Sequence, residues 1–249
     1  MSYEKSQELT NPKQWPPDGI KWYYSDEWVA IAHADCREIL PELPNDSVDG
    51  VFTDPPYNVG IDYGSGAKAD RRDDYIPWLN DIWVKAAAIV RDGSFLIYTN
   101  TTTFIPDGMN PPSPWRYFHL ACWHKPLSLR PAFYGVLPHW EPIFISLKGD
   151  KPWRPFRNED IFNDVVSANV EFGSKDTHPC IKPLLLYKKL ILFGCPPQGV
   201  ILDPFLGSGV TARAAKELNR KCIGIEIEEK YCEIAARRCS QSVFDLSVV

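Results

Sequence analysis

The segment GVILDPFLGSGVTARAAKELNRKCIGIEI (199–227) constrains the fold of this chain more than any other. An apolar run, GVIL (199–202), leads into a glycine turn. A helical pattern over 209–219 follows, with Val210, Ala214 and Leu218 on one face, and a second apolar run, KCIGIEI (221–227), carries an acid near its end. Short runs that are apolar almost throughout suit parallel strands covered on both faces. Strand, turn, helix and strand in this order predict a βαβ unit.

The pattern recurs. VDGVFT (48–53) and GSFLIY (93–98) are further apolar runs, and between them 77–91 places Leu79, Ile82, Trp83, Ala86 and Val90 on one helical face. Pro77 stands near the start of that helix and Gly93 follows its end. A helix is expected over 183–193, from Pro183 to Gly194, and another over 228–240. The latter begins with Glu228 and Glu229 and ends with Arg237 and Arg238, which complements the helix dipole. The fold class expected is α/β, a single doubly wound, mostly parallel sheet. The exception is 100–178, which is irregular, rich in Pro, Trp and His, and holds two expected strands, FHLACW (118–123) and EPIFISLKG (141–149). Residues 1–20 read as an irregular arm.

Composition narrows the function classes. The net charge of −5 argues against a protein that coats nucleic acid by bulk electrostatics, while leaving room for a local basic strip. No apolar run approaches the ~18 residues of a membrane span, and MSYEKSQELT has no secretory h-region. Seven cysteines with no C-x-x-C pair fit neither a disulfide framework nor a zinc finger. A reducing, cytoplasmic setting fits them better. No metal site is expected.

Two motifs carry chemistry. Gly207-x-Gly209-x-x-Ala212 fits G-x-G-x-x-G/A, and Glu226 lies near the ~20-residue offset of an acid that accepts ribose hydroxyls. Asp203, Phe205 and Ser208 of the same turn join this candidate cofactor set. NAD and S-adenosylmethionine (SAM) both present a ribose to such a site; Asp203-Pro204-Phe205 tilts the choice toward SAM. The second motif, Asp54-Pro55-Pro56-Tyr57, is delivered by strand 48–53 to the end where ligands sit in open α/β sheets. Two prolines fix φ at consecutive positions and bias Asp54 away from the helical region. The outcome is a stiff ledge with one carboxylate, free carbonyls and one aromatic face.

That set suits methyl transfer to the exocyclic amine of a base, a poor nucleophile whose lone pair is delocalised into the ring. The Asp54 side chain and the Pro55 carbonyl could accept its two N–H bonds and localise the lone pair. The carboxylate would then stabilise the positive charge that develops on nitrogen. Tyr57 would stack on a base flipped out of the helix.

Together, TDPPYNVG and LDPFLGSG resemble the SAM-dependent DNA amino-methyltransferases, which modify adenine N6 or cytosine N4. The order, catalytic tetrapeptide first and SAM glycines last, looks like the circularly permuted β class, and the resemblance covers about 30–249. It implies a Rossmann-like class I methyltransferase domain over 1–249. Residues 21–148 would form the catalytic half, 149–177 a small target-recognition segment and 178–249 the SAM-binding half. His33-Ala34-Asp35-Cys36 is similar to the segment that places Asp35 near the adenine amine of SAM. His178-Pro179-Cys180-Ile181-Lys182-Pro183 is similar to H-P-x-x-K-P, which puts His178 and Lys182 at the methionine end. Trp123-His124-Lys125-Pro126 and Trp140-Glu141-Pro142 resemble later strands of the catalytic half. Read without the resemblance, Asp35 is a helix N-cap for 36–40, Lys182 a solvated charge, and Trp123 and Trp140 core residues.

Double-stranded DNA is the implied partner, with a second copy of the chain and a cognate restriction endonuclease as further ones. Lys148, Lys151, Arg154 and Arg157, interleaved with Trp153 and Phe156, suit phosphate contact and base stacking. Lys68, Arg71 and Arg72, in the loop after the tetrapeptide, are a second candidate track. Asp at the first tetrapeptide position favours adenine N6 over cytosine N4. An RNA or protein amine acceptor, a SAM-binding module without turnover, and an NAD-dependent oxidoreductase are the alternatives. The leading reading requires the ledge at 55 to face the turn at 207 across one cleft.

Overall fold

A computed structural model describes residues 14–60, 71–127, 136–153, 161–170 and 182–241. Within them, nine strands build one sheet: β1 (Trp22–Ser25), β2 (Val29–His33), β3 (Val48–Thr53), β4 (Val90–Thr99), β5 (Trp115–His124), β6 (Trp140–Lys148), β7 (Val165–Ser167), β8 (Val200–Asp203) and β9 (Lys221–Glu226). Their order across the sheet is β1-β2-β9-β8-β3-β4-β6-β5-β7. Only β1 and β6 run against the common direction.

Helices cover both faces. On one side α4 (Leu184–Gly194), α5 (Val210–Glu217) and α6 (Glu229–Ser240) pack Leu190, Ala212 and Cys232 against Phe52, Ile97 and Ile201. On the other, α1 (Cys36–Ile39) and α2 (Tyr75–Ile89) pack Cys36, Ile82 and Trp83 against Val51, Leu96 and Leu202. Successive strand residues point to opposite faces, so runs such as Val51-Phe52 and Leu96-Ile97 must be apolar at every position to serve both cores. Among the described residues no helix is long and apolar enough to cross a membrane.

Three differences from the sequence reading have local causes. Helix α2 starts two residues before Pro77, because the first turn of a helix has no intrahelical N–H bond for proline to remove. Strand β4 begins at Val90, before Gly93, whose φ of 83° makes an irregularity where β3 shifts register from Val48↔Val90 to Gly50↔Phe95. Strands β1, β2 and β7 add to those expected. Trp123 is buried as anticipated, whereas Trp140 is 41% exposed and is not a core residue.

The topology creates the site. From β8 the chain crosses through α5 to β9 on one side; from β3 it crosses through α2 to β4 on the other. Strands β8 and β3 are therefore parallel neighbours, Gly50↔Ile201 and Val51↔Leu202, from which connections diverge. A crevice opens at such a switch point, beyond the strand ends. A short helix, α3 (Ile105–Gly108), follows β4 at the same end.

Candidate active site

The ends of β3 and β8 are tied directly. The Thr53 hydroxyl donates to Asp203 Oδ1 at 2.5 Å, and the Phe205 N–H donates to the same oxygen at 3.1 Å. Asp54, Lys182, Tyr187, Asp203, Phe205, Gly207, Ser208 and Thr211 line one cleft here. Asp54, from the first corner named by the sequence, and Asp203 and Phe205–Ser208, from the second, thus share a cavity wall. Burial raises the Asp203 carboxyl to about 7, against the opposing pull of its hydrogen bonds from Thr53, Thr211 and the Phe205 backbone.

The tetrapeptide is held rigidly. Asp54 Oδ1 accepts a hydrogen bond from the Thr99 hydroxyl at the end of β4, and Asp54 Oδ2 pairs with Lys182 Nζ at 2.9 Å. The Pro56 carbonyl accepts from Tyr75 OH at 2.6 Å, which in turn accepts from Asn100 Nδ2 at 2.8 Å. That bond commits the Pro56 carbonyl to the scaffold. Tyr57 OH donates to Glu141 Oε2 at 3.0 Å. Burial, and then Asp54 and Glu141, push the Tyr57 hydroxyl well above its ordinary value, so it remains a neutral donor.

Behind the ledge lies a buried ionic cluster. Glu141 pairs with Lys125 at 2.8 Å and with Lys182 at 3.3 Å. Burial alone would raise the Glu141 carboxyl; the charges of Lys182 and Lys125 overcome it and hold the group at about 2. Lys182 Nζ also lies 4.6 Å from the centre of the Tyr57 ring and 5.4 Å from that of Trp123, within cation–π range of both.

At the glycine turn after β8, Gly207 (φ 51°) and Gly209 (φ 80°) both adopt the left-handed region, which glycine enters without steric cost. A Cβ on Gly209 would come within 2.7 Å of Ala235 Cβ, so this glycine also lets α5 approach α6. The Gly207 N–H donates to Glu226 Oε2 at 2.7 Å and the Glu228 N–H to Oε1 at 2.8 Å. Burial raises the Glu226 carboxyl, opposed by these backbone donors. Each of its oxygens keeps a further lone pair for a hydroxyl. Phe205 packs against Trp78 at 5.6 Å between centroids.

Residues 48–237 match the model of the family described as DNA methylase. The chain belongs to that family. It is 26% identical to the DNA adenine methyltransferase YhdJ of Escherichia coli K12, over 86% of this chain and 84% of that one. The crystal structure of an M1.HpyAVI–SAM complex superposes with a TM-score of 0.68 at 25% identity, covering 86% of this chain and 100% of the other. The cytosine-N4-specific PvuII DNA methyltransferase shares the fold, with a TM-score of 0.72 at 16% identity over 91% and 92% of the two chains. The methylase is a SAM-dependent DNA amino-methyltransferase.

The donor set of the cleft fits SAM: a buried acid beside a glycine turn for ribose hydroxyls, an aromatic wall at Phe205, and polar groups at Ser208 and Thr211. Other candidates in the methylase fall into place differently. Asp35 N-caps α1 through the Arg37 N–H at 2.9 Å and pairs with the Arg37 guanidinium, whose hydrogen bonds lower its carboxyl. The neighbouring Ala34 N–H donates to the Glu226 carbonyl at 3.0 Å, so Asp35 stands beside Glu226 as well as capping a helix. Lys182 is buried, 7% exposed, and is no solvated charge. Its ammonium serves Asp54 and Glu141. His178 lies outside the described residues, as do Lys68, Arg154 and Arg157.

The basic candidates divide. Arg71 approaches Gly60, and Arg72 stacks 5.0 Å from the Trp78 ring while its N–H donates to Asn58 Oδ1 at 2.7 Å; both stand beside the tetrapeptide. Lys148 is a correction. It donates to the Val90 carbonyl at 2.6 Å and pairs with Asp92 at 3.2 Å. Ile143 of β6 pairs with Thr99 at the cleft end of β4 and Lys148 lies five residues further along, so Lys148 is roughly 17 Å from the cleft at ~3.3 Å per residue, at the opposite end of the sheet. Lys151 is at that same remote end, where the Trp153 N–H donates to the Gly93 carbonyl at 2.9 Å.

Sequence reasoning passed over Thr53, Thr99, Lys125, Glu141 and Tyr187 as site residues. A signal existed for one pair: Lys125 directly follows β5 and Glu141 stands at the start of β6, two strands that pair in register Trp123↔Glu141. Opposite charges beside such strands need each other when buried.

Proposed function

We propose that this methylase transfers the methyl of SAM to adenine N6 in double-stranded DNA. The observation that carries the reading is the placement of Asp54 and Asp203–Ser208 on one cleft, with the proline ledge between Asp54 and Tyr57. The Asp at the first tetrapeptide position and the likeness to an adenine methyltransferase favour adenine over cytosine. SAM supplies an electrophilic methyl on a sulfonium centre.

The chain's own residues do the rest. Asp54 and the Pro55 carbonyl accept the two N–H bonds of the target amine and localise its lone pair. The nitrogen takes the methyl directly as the methyl–sulfur bond of the sulfonium breaks to leave a neutral thioether, with no covalent enzyme intermediate, and Asp54 stabilises the cationic nitrogen until its proton passes to solvent. Pro56 supplies rigidity, and Tyr57 packs against the flipped base. Asp35, Asp203, Phe205, Gly207, Ser208, Gly209 and Glu226 hold the cofactor, and Arg71 and Arg72 follow the phosphate track. A single permuted domain, a second copy of the chain, a cognate restriction endonuclease and a cytoplasmic location complete the reading, on the resemblance.

The test is incubation with labelled SAM and mixed-sequence duplex DNA, followed by nucleoside mass analysis and mapping of modified positions. N6-methyladenine at a fixed sequence is expected. N4-methylcytosine overturns the choice of base, and no methylated base in any duplex overturns the function.

A further inference from the structure

The two contacts assigned above to the target nucleotide are already taken. Lys182 Nζ lies 2.9 Å from Asp54 Oδ2, where an amine N–H would donate, and 4.6 Å above the Tyr57 ring, where a base would stack. Tyr57 is 7% exposed and Lys182 is 7% exposed, so the ledge is covered in this state. An ammonium on this carboxylate reproduces the charge and donor character of the nitrogen during methyl transfer. It also conflicts with that nitrogen, because two cations would then share Asp54.

A second acceptor is within reach. Glu141 Oε2 is 3.3 Å from the same Nζ, and Glu141 is itself fixed by Lys125 at 2.8 Å and Tyr57 OH at 3.0 Å. A small movement along the flexible lysine stem would exchange one carboxylate for the other.

We propose that Lys182 is an internal stand-in for the target amine, and that Glu141 is the carboxylate that receives it when the amine arrives. The inference rests on the reading of Asp54 as the amine acceptor. Lys182 and Glu141 are positioning residues here. While the site is empty, Lys182 supplies the counter-charge that Asp54 needs. When the amine enters, Lys182 withdraws to Glu141, uncovers Tyr57 and leaves the carboxylate to the developing cation. Arginine would not replace it, since a planar fork holding Asp54 through two bonds releases it less readily.

The experiment compares wild type, Glu141→Gln, Lys182→Met and the double variant on a duplex containing the mapped target site. A second duplex carries 2-aminopurine at the target position to report base flipping by fluorescence. Removing the charge of Glu141 leaves Lys182 on Asp54. Glu141→Gln is therefore expected to lose at least tenfold in kcat and to flip less, with the Kd for SAM within twofold of wild type. Lys182→Met is expected to flip more than wild type. The double variant is expected to turn over at least threefold faster than Glu141→Gln, a rescue that simple loss of packing does not produce. A double variant no faster than Glu141→Gln, or a Glu141→Gln kcat within twofold of wild type, overturns the proposal. If Glu141→Gln does not fold, Lys182→Met alone decides, and flipping no greater than wild type overturns it. Wild type that methylates no DNA would instead strike the function itself.

Discussion

Thr53 and Asp203 are separated by 150 residues in the chain and joined by a 2.5 Å hydrogen bond between neighbouring strand ends. The bond links the strand that delivers the Asp54–Tyr57 tetrapeptide to the strand that leads into the Gly207–Gly209 turn. Thr53→Val removes the donor and leaves part of a buried carboxyl unsatisfied, at a cost of about 1–3 kcal/mol. Denaturant melts should show that loss, and titration calorimetry should show weaker SAM binding. Unchanged values for both would mean that the bond does not couple the two halves.

Asp203 also predicts a pH dependence. Burial lifts its carboxyl to about 7 in the folded chain, above the ordinary aspartate value of 3.8. Between these values the folded state holds a proton that the unfolded state has released, so this group's contribution to stability falls as pH rises. The decline levels off above about 7. Thermal melts of Asp203→Asn across the same range should have a flatter slope than wild type; identical slopes would refute the assignment.

Asp54 is expected to matter for turnover and not for holding the cofactor. Asp54→Ala should lower kcat by at least about 100-fold, the scale of losing one preorganised electrostatic contact to a transition state. The Kd for SAM should stay within a few-fold of wild type. Simultaneous loss of both would point to misfolding or to a different role for the carboxylate.

Tyr57 separates ring from hydroxyl. The ring faces Lys182, and the hydroxyl anchors it to Glu141. Tyr57→Phe retains the ring and loses one hydrogen bond, so DNA methylation should fall only several-fold. Tyr57→Ala removes the stacking surface and should raise the KM for DNA by roughly 10-fold or more, on the scale of ~1–3 kcal/mol per stacked base. Equal effects of the two substitutions in steady-state assays would remove the stacking role.

Gly209 has a structural test. Its φ is 80°, and an added Cβ would meet Ala235 Cβ at 2.7 Å. Gly209→Ala combines left-handed strain with overpacking and should cost about 1–3 kcal/mol. A melt superimposable on wild type would show that α5 and α6 separate freely.

Local patterns made much of this methylase readable before folding. Apolar runs at 95–98 and 199–202 must be strands buried on two faces, because neither face offers a charged side to water. The glycines at 207 and 209 mark a turn in the left-handed region, and the paired prolines at 55 and 56 stiffen the chain wherever they stand. These properties belong to a few consecutive residues. What folding alone decided is which distant residues meet. Lys148 looked like a phosphate contact among its neighbours, yet β6 runs antiparallel to β4 and carries it to the opposite end of the sheet. Glu141 and Lys125 carry no sign of a site role in their own segments, and the β5–β6 pairing buried them behind the ledge. Lys182 reaches Asp54 across 128 positions only because α4 packs on the face of the sheet beneath β3 and β4. Backbone preference acts over a turn of chain, whereas charge pairing in a buried cleft depends on strand order and direction, which no short stretch of sequence contains.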